Sequence, residues 1–263
     1  MTQIARRLLV HGRVQGVGFR WHTCRAATRT GVSGCVRNLP DGGVEAHAEG
    51  DVESLAQLEQ AIRTGPGGAR VVYVDVEPAA VTGIYDSFQV TPYMDLKQHI
   101  RSVPDFPKPG ILFYDITTLL RIPGGFEAAI DRLSAPYVDK GIDLVVGIES
   151  RGFILGGPVA ERINAGFVPI RKPGKLPARS VRESYNLEYG TDALEIHADA
   201  VERGQRVLIV DDVLATGGTA QAAALLIKNL GGELHGLAFL IELLALDGKA
   251  KLPGEKLFSV LQY

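Results

Sequence analysis

The sequence predicts two domains of different class: an α+β domain over residues 1–92 and an α/β domain over 93–263, the second a parallel sheet with helices on both faces. Three observations predict this. Lysine is absent before Lys97 while arginine runs through the whole chain, a shift in usage that marks a joint between two segments. Before the joint, short alternating strands and two amphipathic helices succeed one another in the order β-α-β-β-α-β. After it, β-branched apolar runs alternate with helical stretches, the pattern of strands buried on both faces. The joint Thr91-Pro92-Tyr93 is short, so the domains are expected to be closely tethered. Met1 and Met94, the two methionines, each head one segment, as a gene fusion or an internal start would leave them.

In the first domain, strands are expected at 4–14, 35–38, 44–49, 70–77 and 87–91, and helices at 20–30 and 52–63. Asp41-Gly42-Gly43 is a hairpin turn, and Asp51 is placed to cap the second helix. This order is ferredoxin-like, with both helices on one face of the sheet. In the second domain, strands are expected at 144–148, 167–171, 206–210 and 234–240, with helices at 126–140, 156–164 and 218–230. Ligands of such sheets bind beyond the carboxyl ends of the strands.

Composition excludes several roles. With 46% hydrophobic residues and a net charge of −2, the 263-residue chain has full cores and no electrostatic footprint for nucleic acid or membrane. It has no apolar run of membrane-spanning length, and its start lacks the apolar core of a signal peptide, so the cytoplasm is the expected location. Cys24 and Cys35 have no metal-ligand spacing and read as reduced, packed thiols.

The stretch from Val207 to Ala220 carries the most chemistry. Val207 to Val210 reads as a buried parallel strand, Asp211 and Asp212 follow at its end, and the small-residue loop Ala215, Thr216, Gly217, Gly218, Thr219 opens a helix. A 5′-phosphate needs several backbone N–H donors converging on it; the glycines permit that approach and the helix adds its positive end. Two carboxylates repel a phosphate, so their natural partners are the two ribose hydroxyls, with a divalent cation offsetting charge nearby. A mere packing turn would leave both carboxylates without a task, and desolvating them is costly. The lysine of the nucleotide-triphosphate loop and the spacing Gly-x-Gly-x-x-Gly are both missing, so neither a P-loop nor a dinucleotide fold is indicated. The stretch resembles the phosphoribosyl-diphosphate (PRPP) signature of type I phosphoribosyltransferases.

A second glycine loop, Gly12-Arg13-Val14-Gln15-Gly16-Val17-Gly18-Phe19-Arg20, sets backbone donors and a guanidinium at a helix start, a match for phosphate. Asn38 stands at a strand end in the run from Gly34 to Val44, where its amide can hold a water. Taken singly, these read as turn glycines and a solvated arginine. Together they resemble acylphosphatase across 1–92. The resemblance implies that Arg20 binds the phosphoryl group with the loop Gln15, Gly16, Val17, Gly18 and Phe19, and that Asn38 orients the attacking water. It implies neither metal nor covalent intermediate, because an activated anhydride needs only positioning and electrostatics. Such modules also occur attached to larger enzymes, so a ligand-binding role stands beside hydrolysis.

Farther on, Gly147-Ile148-Glu149-Ser150-Arg151-Gly152-Phe153 follows a strand and puts Arg151 within reach of a diphosphate. The run from Ile170 to Pro177, with Lys172 and Lys175, is a basic edge leading into a polar segment through Arg182; it reads as a flexible hood able to close over substrate. With the segments Pro104 to Ile116, Ser184 to Gly190 and Leu257 to Tyr263, these pieces resemble adenine phosphoribosyltransferase from Met94 onward. The resemblance implies a purine salvage step, adenine plus PRPP giving AMP and diphosphate, with Mg²⁺ carried by PRPP rather than by direct protein ligands, in a homodimer. Phe113 would stack on the purine while the backbones of Leu112 and Tyr114 read its edge. Glu188 would be proton acceptor or hydrogen-bond partner to the base, and Tyr189 would support the closed loop. Arg151, with Lys172 or Lys175, would stabilise diphosphate, and Asp211 and Asp212 would hold the ribose hydroxyls. Tyr114 departs from the family, many of whose members carry arginine there. Two other readings stay open: a PRPP-sensing regulator without turnover, and a transferase for hypoxanthine, guanine or xanthine.

Overall fold

A computed structural model describes residues 3–91, 94–186 and 191–263. The chain divides into two compact units, Met1–Met94 and Asp95–Tyr263.

The first unit runs β1 (Ile4–Arg13), α1 (Phe19–Thr30), β2 (Ser33–Asn38), β3 (Val44–Gly50), α2 (Val52–Thr64), β4 (Arg70–Ala79) and β5 (Phe88–Val90). Its sheet has the order β4-β1-β3-β2-β5, antiparallel except where β5 joins β2 in parallel. Alternation decides which face is covered: Leu8 and Val10 of β1 and Val44, Ala46 and Ala48 of β3 pack with Ala26 and Ala27 of α1 and Leu55, Leu58 and Ile62 of α2. Each large aliphatic side chain so buried contributes about 2 kcal/mol before entropy is subtracted. The turn at Asp41 forms as expected, with Asp41 Oδ1 accepting from the Gly43 amide at 2.9 Å. Asp51 caps α2 by accepting from the amides of Glu53 and Ser54 at 3.0 and 2.9 Å.

The opposite face of this sheet is charged. Glu45 lies between the guanidinium groups of Arg7 and Arg37. The Glu49 side chain is fully buried and accepts from His47 Nε2 and from the amides of Thr82 and Gly83, pinning the segment after β4 to the sheet. Burial pushes this carboxyl up, but the bonds from His47, Thr82 and Gly83 outweigh it and hold the group at about 2.

The second unit begins with β6 (Arg101–Val103), β7 (Phe113–Asp115), α3 (Thr117–Leu120) and α4 (Pro123–Ser134). It continues through β8 (Leu144–Ile148), α5 (Arg151–Arg162), β9 (Gly166–Ile170), β10 (Ser180–Asn186), β11 (Thr191–His197), β12 (Arg206–Leu214), α6 (Gly218–Asn229), β13 (Glu233–Glu242) and β14 (Leu257–Gln262). The main sheet is wholly parallel in the order β14-β13-β12-β8-β9. Val207 and Ile209 of β12 and Leu237 and Phe239 of β13 meet Ala223, Leu226 and Ile227 of α6 and Leu194 and Ile196 of β11. The other face is covered by α5, which packs on α4.

Several expectations need correction. The helix expected over 126–140 starts earlier, at Pro123, and stops at Ser134, giving way to a tight turn at Ala135–Tyr137; Pro136 has no amide to continue the α-helical ladder. The helix expected from 156 starts at Arg151, and Gly152 and Gly156 are both within it as sites of close packing. A Cβ on Gly156 would stand 2.9 Å from the Phe167 ring. The strand expected to end at Val210 continues through the two aspartates to Leu214, since Asp211, Val213 and Leu214 still pair with β13. The stretch through Arg182, read as a flexible hood, enters β10 at Ser180, which forms an antiparallel hairpin with β11. Its polar outer positions hide the strand, and the buried Ala193, Leu194 and Ile196 of its partner stabilise it.

Cys24 and Cys35 are both free thiols, and burial pushes Cys24 up. No helix among the described residues is long and apolar enough to cross a membrane.

Candidate functional site

Each unit carries a glycine loop of the same local design at the start of a helix. In the second unit the loop 215–219 leads into α6, whose N-cap Gly217 has φ 79° and offers no side chain to the first-turn amides. These amides stay available to an anion, with the helix dipole behind them. Only glycine fits Gly217: its conformation is left-handed, and a Cβ would stand 2.3 Å from the carbonyl oxygen of Gly248. Gly248 in turn fits as closely against the Ala215 carbonyl, so the segment after β13 braces the loop.

Beside the loop, both aspartates of β12 meet the first turn of α5. Asp212 is buried, and its Oδ2 lies 2.9 Å from Arg151 Nε. Asp211 Oδ1 accepts from the Asp212 amide at 2.9 Å and sits 2.8 Å from where a Cβ on Gly152 would be, which explains the glycine after Arg151. Burial pushes both carboxyls up. The charge of Asp212 drives Asp211 higher still, while Arg151 opposes the shift of Asp212. Arg151 also stands 5.1 Å above the ring of Phe113 on β7, so one guanidinium links the acid pair to the aromatic. Phe113 is half-buried and packs edge-on against Phe106 at 5.1 Å. Leu112 just before it is exposed, and Tyr114 lies against Tyr263 at 4.2 Å. Asp115, which ends β7, is held at about 2 by hydrogen bonds from Thr117 and Arg101.

The structure thus brings together Asp211, Asp212, Arg151, Phe113 and the loop Ala215, Thr216, Gly217, Gly218 and Thr219. It engages Lys172 elsewhere: the ammonium is bound by the Asp192 carboxylate and by Tyr185 Oη at 2.9 Å, both on the β10–β11 hairpin. Lys175 is exposed, and its carbonyl accepts from Arg171 at 3.2 Å. Glu188 and Tyr189 lie outside the described residues. Sequence reasoning missed Glu149, which accepts from the Lys172 amide at 2.8 Å and pairs with Arg171 at 3.2 Å, tying the basic edge to the end of β8. Its signal was present in the Glu-Ser-Arg-Gly run; Gly248 and Asp192 have no comparable local signal. Among the described residues no three His, Cys, Asp or Glu side chains converge as a metal cage.

The first unit repeats the loop with different neighbours. Gly18, φ 76°, is the N-cap of α1 and likewise supplies no side-chain cap. A cleft of about 240 Å³ lies there, lined by Gln15, Gly16, Gly18, Phe19, Arg20 and Asn38 among others. Arg20 is exposed at the helix start and forms no ion pair among the described residues. Asn38, the last residue of β2, faces the same cleft. Val17 is on the loop and partly buried against the core. Two loop residues contribute otherwise than by side-chain contact with an anion: Phe19 is a core residue, and Gln15 Nε2 donates to the carbonyls of Leu39 and Gly43 at 2.7 Å each, bracing the hairpin that carries Asn38.

Comparison with known proteins agrees with this division. Residues 116–259 match the phosphoribosyl transferase domain family, and residues 6–90 match the acylphosphatase family. The chain belongs to the phosphoribosyltransferase family and carries an acylphosphatase domain before the transferase domain. Within that family its second unit is similar to adenine phosphoribosyltransferases: that of Acidobacterium capsulatum is 61% identical over 168 residues, 64% of this chain and 93% of the relative. The crystal structure of adenine phosphoribosyltransferase from Thermoanaerobacter pseudethanolicus matches with TM-score 0.63 at 50% identity, covering 64% of this chain and 98% of that one. The Saccharomyces cerevisiae enzyme, solved with an imino-altritol bisphosphate and adenine, matches with TM-score 0.59 at 42% identity, over 63% and 96%.

Proposed function

We propose that the second unit transfers the phosphoribosyl group of PRPP to adenine, giving AMP and diphosphate, and that the first unit hydrolyses acyl phosphates. The observation that supports the transferase reading most is the meeting of the acid pair, Arg151 and an uncapped glycine loop at one strand end. The loop amides bind the 5′-phosphate, and Asp211 and Asp212 accept from the ribose hydroxyls, fixing the sugar so that its anomeric carbon is open to in-line attack. As diphosphate leaves, Arg151 turns from Asp212 to the departing oxygens, with Lys175 and, once released from Asp192, Lys172 beside it. The purine lies on Phe113, its edge read by the backbones of Leu112 and Tyr114, and Glu188 accepts the proton its attacking nitrogen loses.

Two carboxylates beside a guanidinium are too few donors to cage a bare ion; Asp211 and Asp212 would be the residues nearest a Mg²⁺ brought by PRPP, and such an ion would offset charge on the diphosphate. The proposal extends, through the resemblance, to a cytoplasmic homodimer.

In the first unit, Arg20 and the loop amides hold the phosphoryl oxygens and Asn38 holds the water. The water oxygen attacks phosphorus, the bond to the acyl oxygen breaks, and carboxylate, phosphate and a proton are released. An assay of labelled adenine with PRPP and Mg²⁺ tests the transferase. AMP formation is expected; no product would favour a PRPP sensor, and product from another purine alone would reassign the base. Benzoyl phosphate hydrolysis, lost in Arg20→Ala, tests the first unit.

A further inference from the structure

The cleft of the first unit has a second wall with no part in holding phosphate. Besides Arg20, Asn38 and the loop, the cleft is lined by Val14, Trp21 and Val90. Trp21 follows Arg20 on α1 and is 64% exposed, and the guanidinium of Arg25, one turn on, stacks 4.5 Å from its ring. Val90 is 49% exposed and comes from β5, the strand added beyond the β-α-β-β-α-β core. Its parallel pairing with Val36, and the 3.0 Å bond from the Thr91 amide to the Val36 carbonyl, bring it to the end of β2 that carries Asn38. The cleft therefore combines Arg20 and Asn38 with an apolar, aromatic lining of Trp21 and Val90.

We infer that Trp21 and Val90 form the seat of the acyl group, and that the substrates of the first unit are acyl phosphates with an apolar, preferably aromatic, acyl portion rather than a small or charged one. The inference rests on the hydrolytic reading of this unit. Phosphorus still exchanges its acyl oxygen for water oxygen at Arg20 and Asn38; the apolar wall holds the part of the substrate that departs as carboxylate.

Trp21 is the chain's single tryptophan, so its fluorescence reports on this wall alone. The full-length chain is titrated with benzoylphosphonate and with acetylphosphonate, hydrolysis-resistant stand-ins for an aromatic and a small acyl phosphate, and kcat/KM is measured for benzoyl and acetyl phosphate. Benzoylphosphonate is expected to quench or shift the emission at roughly tenfold lower concentration than acetylphosphonate. Trp21→Ala is expected to lower kcat/KM for benzoyl phosphate by about tenfold, chiefly through KM, and to change that for acetyl phosphate by less than about twofold. Equal affinity for the two phosphonates, or an equal loss on both substrates in Trp21→Ala, would overturn the inference while leaving hydrolysis in place. Quenching by benzoylphosphonate together with no hydrolysis of either substrate by the native chain would instead support the apolar seat and overturn the hydrolytic reading. Absence of any emission change with either ligand would overturn the seat itself.

Discussion

The loops before α1 and α6 are built alike and surrounded differently. Both end on a glycine in the left-handed region, at φ 76° and 79°, and both leave the first-turn amides without a side-chain cap. α2, by contrast, starts on Asp51, whose side chain accepts from the amides of Glu53 and Ser54. What differs is the charged and polar side chains around them. The α1 loop has Arg20, without an ion pair among the described residues, and the side-chain amide of Asn38, the pair proposed above to meet a phosphoryl group and its attacking water. The α6 loop has two carboxylates and an arginine already paired to one of them, suited to a sugar diol. One loop design thus stands among two sets of neighbours, and on the reading proposed above the neighbours decide the chemistry.

The strongest way to break the comparison is to spoil one seat and watch the other. Gly217→Val puts a side chain into the Gly248 carbonyl and forces an unfavourable φ, so AMP synthesis is expected to fall by at least about a hundredfold while acyl phosphate hydrolysis stays unchanged. Arg20→Ala is the reciprocal variant: hydrolysis is expected to drop about a hundredfold or more, with no change in AMP synthesis. Parallel assays on the same preparations check both, and a loss of both activities in either variant would contradict independent seats.

A smaller effect sharpens the role of the acids. Asp211→Asn removes a carboxyl that burial and Asp212 push upward, so it is expected to raise thermal stability by on the order of 1 kcal/mol while weakening use of PRPP about tenfold or more. Calorimetry and steady-state kinetics read the two effects.

Acid denaturation should divide between the units by the same logic. Glu49 is held at about 2 against an ordinary 4.5, so the stability it confers is fully present above pH 4.5 and is lost as pH falls toward 2. Glu49→Gln is expected to flatten the pH dependence of first-unit unfolding across that window, followed by circular dichroism. The least effect is expected from Asp192→Asn, which frees Lys172 and should change KM for PRPP by no more than a few-fold.

The first unit was almost wholly legible because its elements are bounded by local signals: alternation in β1 and β3, Asp51 at the start of α2, Asp41-Gly42-Gly43 between β2 and β3. The second was legible where apolar runs are buried on both faces, as in β8 and β12. It was not where pairing rather than pattern decides. Ser180–Asn186 is polar and becomes a strand because β11 brings Ala193, Leu194 and Ile196 behind it. The helix expected from Gly156 begins at Arg151, and Gly152 and Gly156 prove to be where α5 approaches β12 and the Phe167 ring. Within the site, the acids and loops were visible as motifs. The partners of Arg151 and Lys172, namely Asp212, Phe113, Tyr185 and Asp192, come from distant segments that only the fold brings near.

The account turns on the acid pair holding the sugar while the loop holds its phosphate, and titration calorimetry with ribose 5-phosphate and 2-deoxyribose 5-phosphate tests this directly. The native chain is expected to bind the ribose compound about tenfold or more tighter, and the Asp211→Asn, Asp212→Asn double variant to bind the two equally while keeping its affinity for inorganic phosphate. Equal binding of both sugars by the native chain, or an undiminished preference in the double variant, would contradict it.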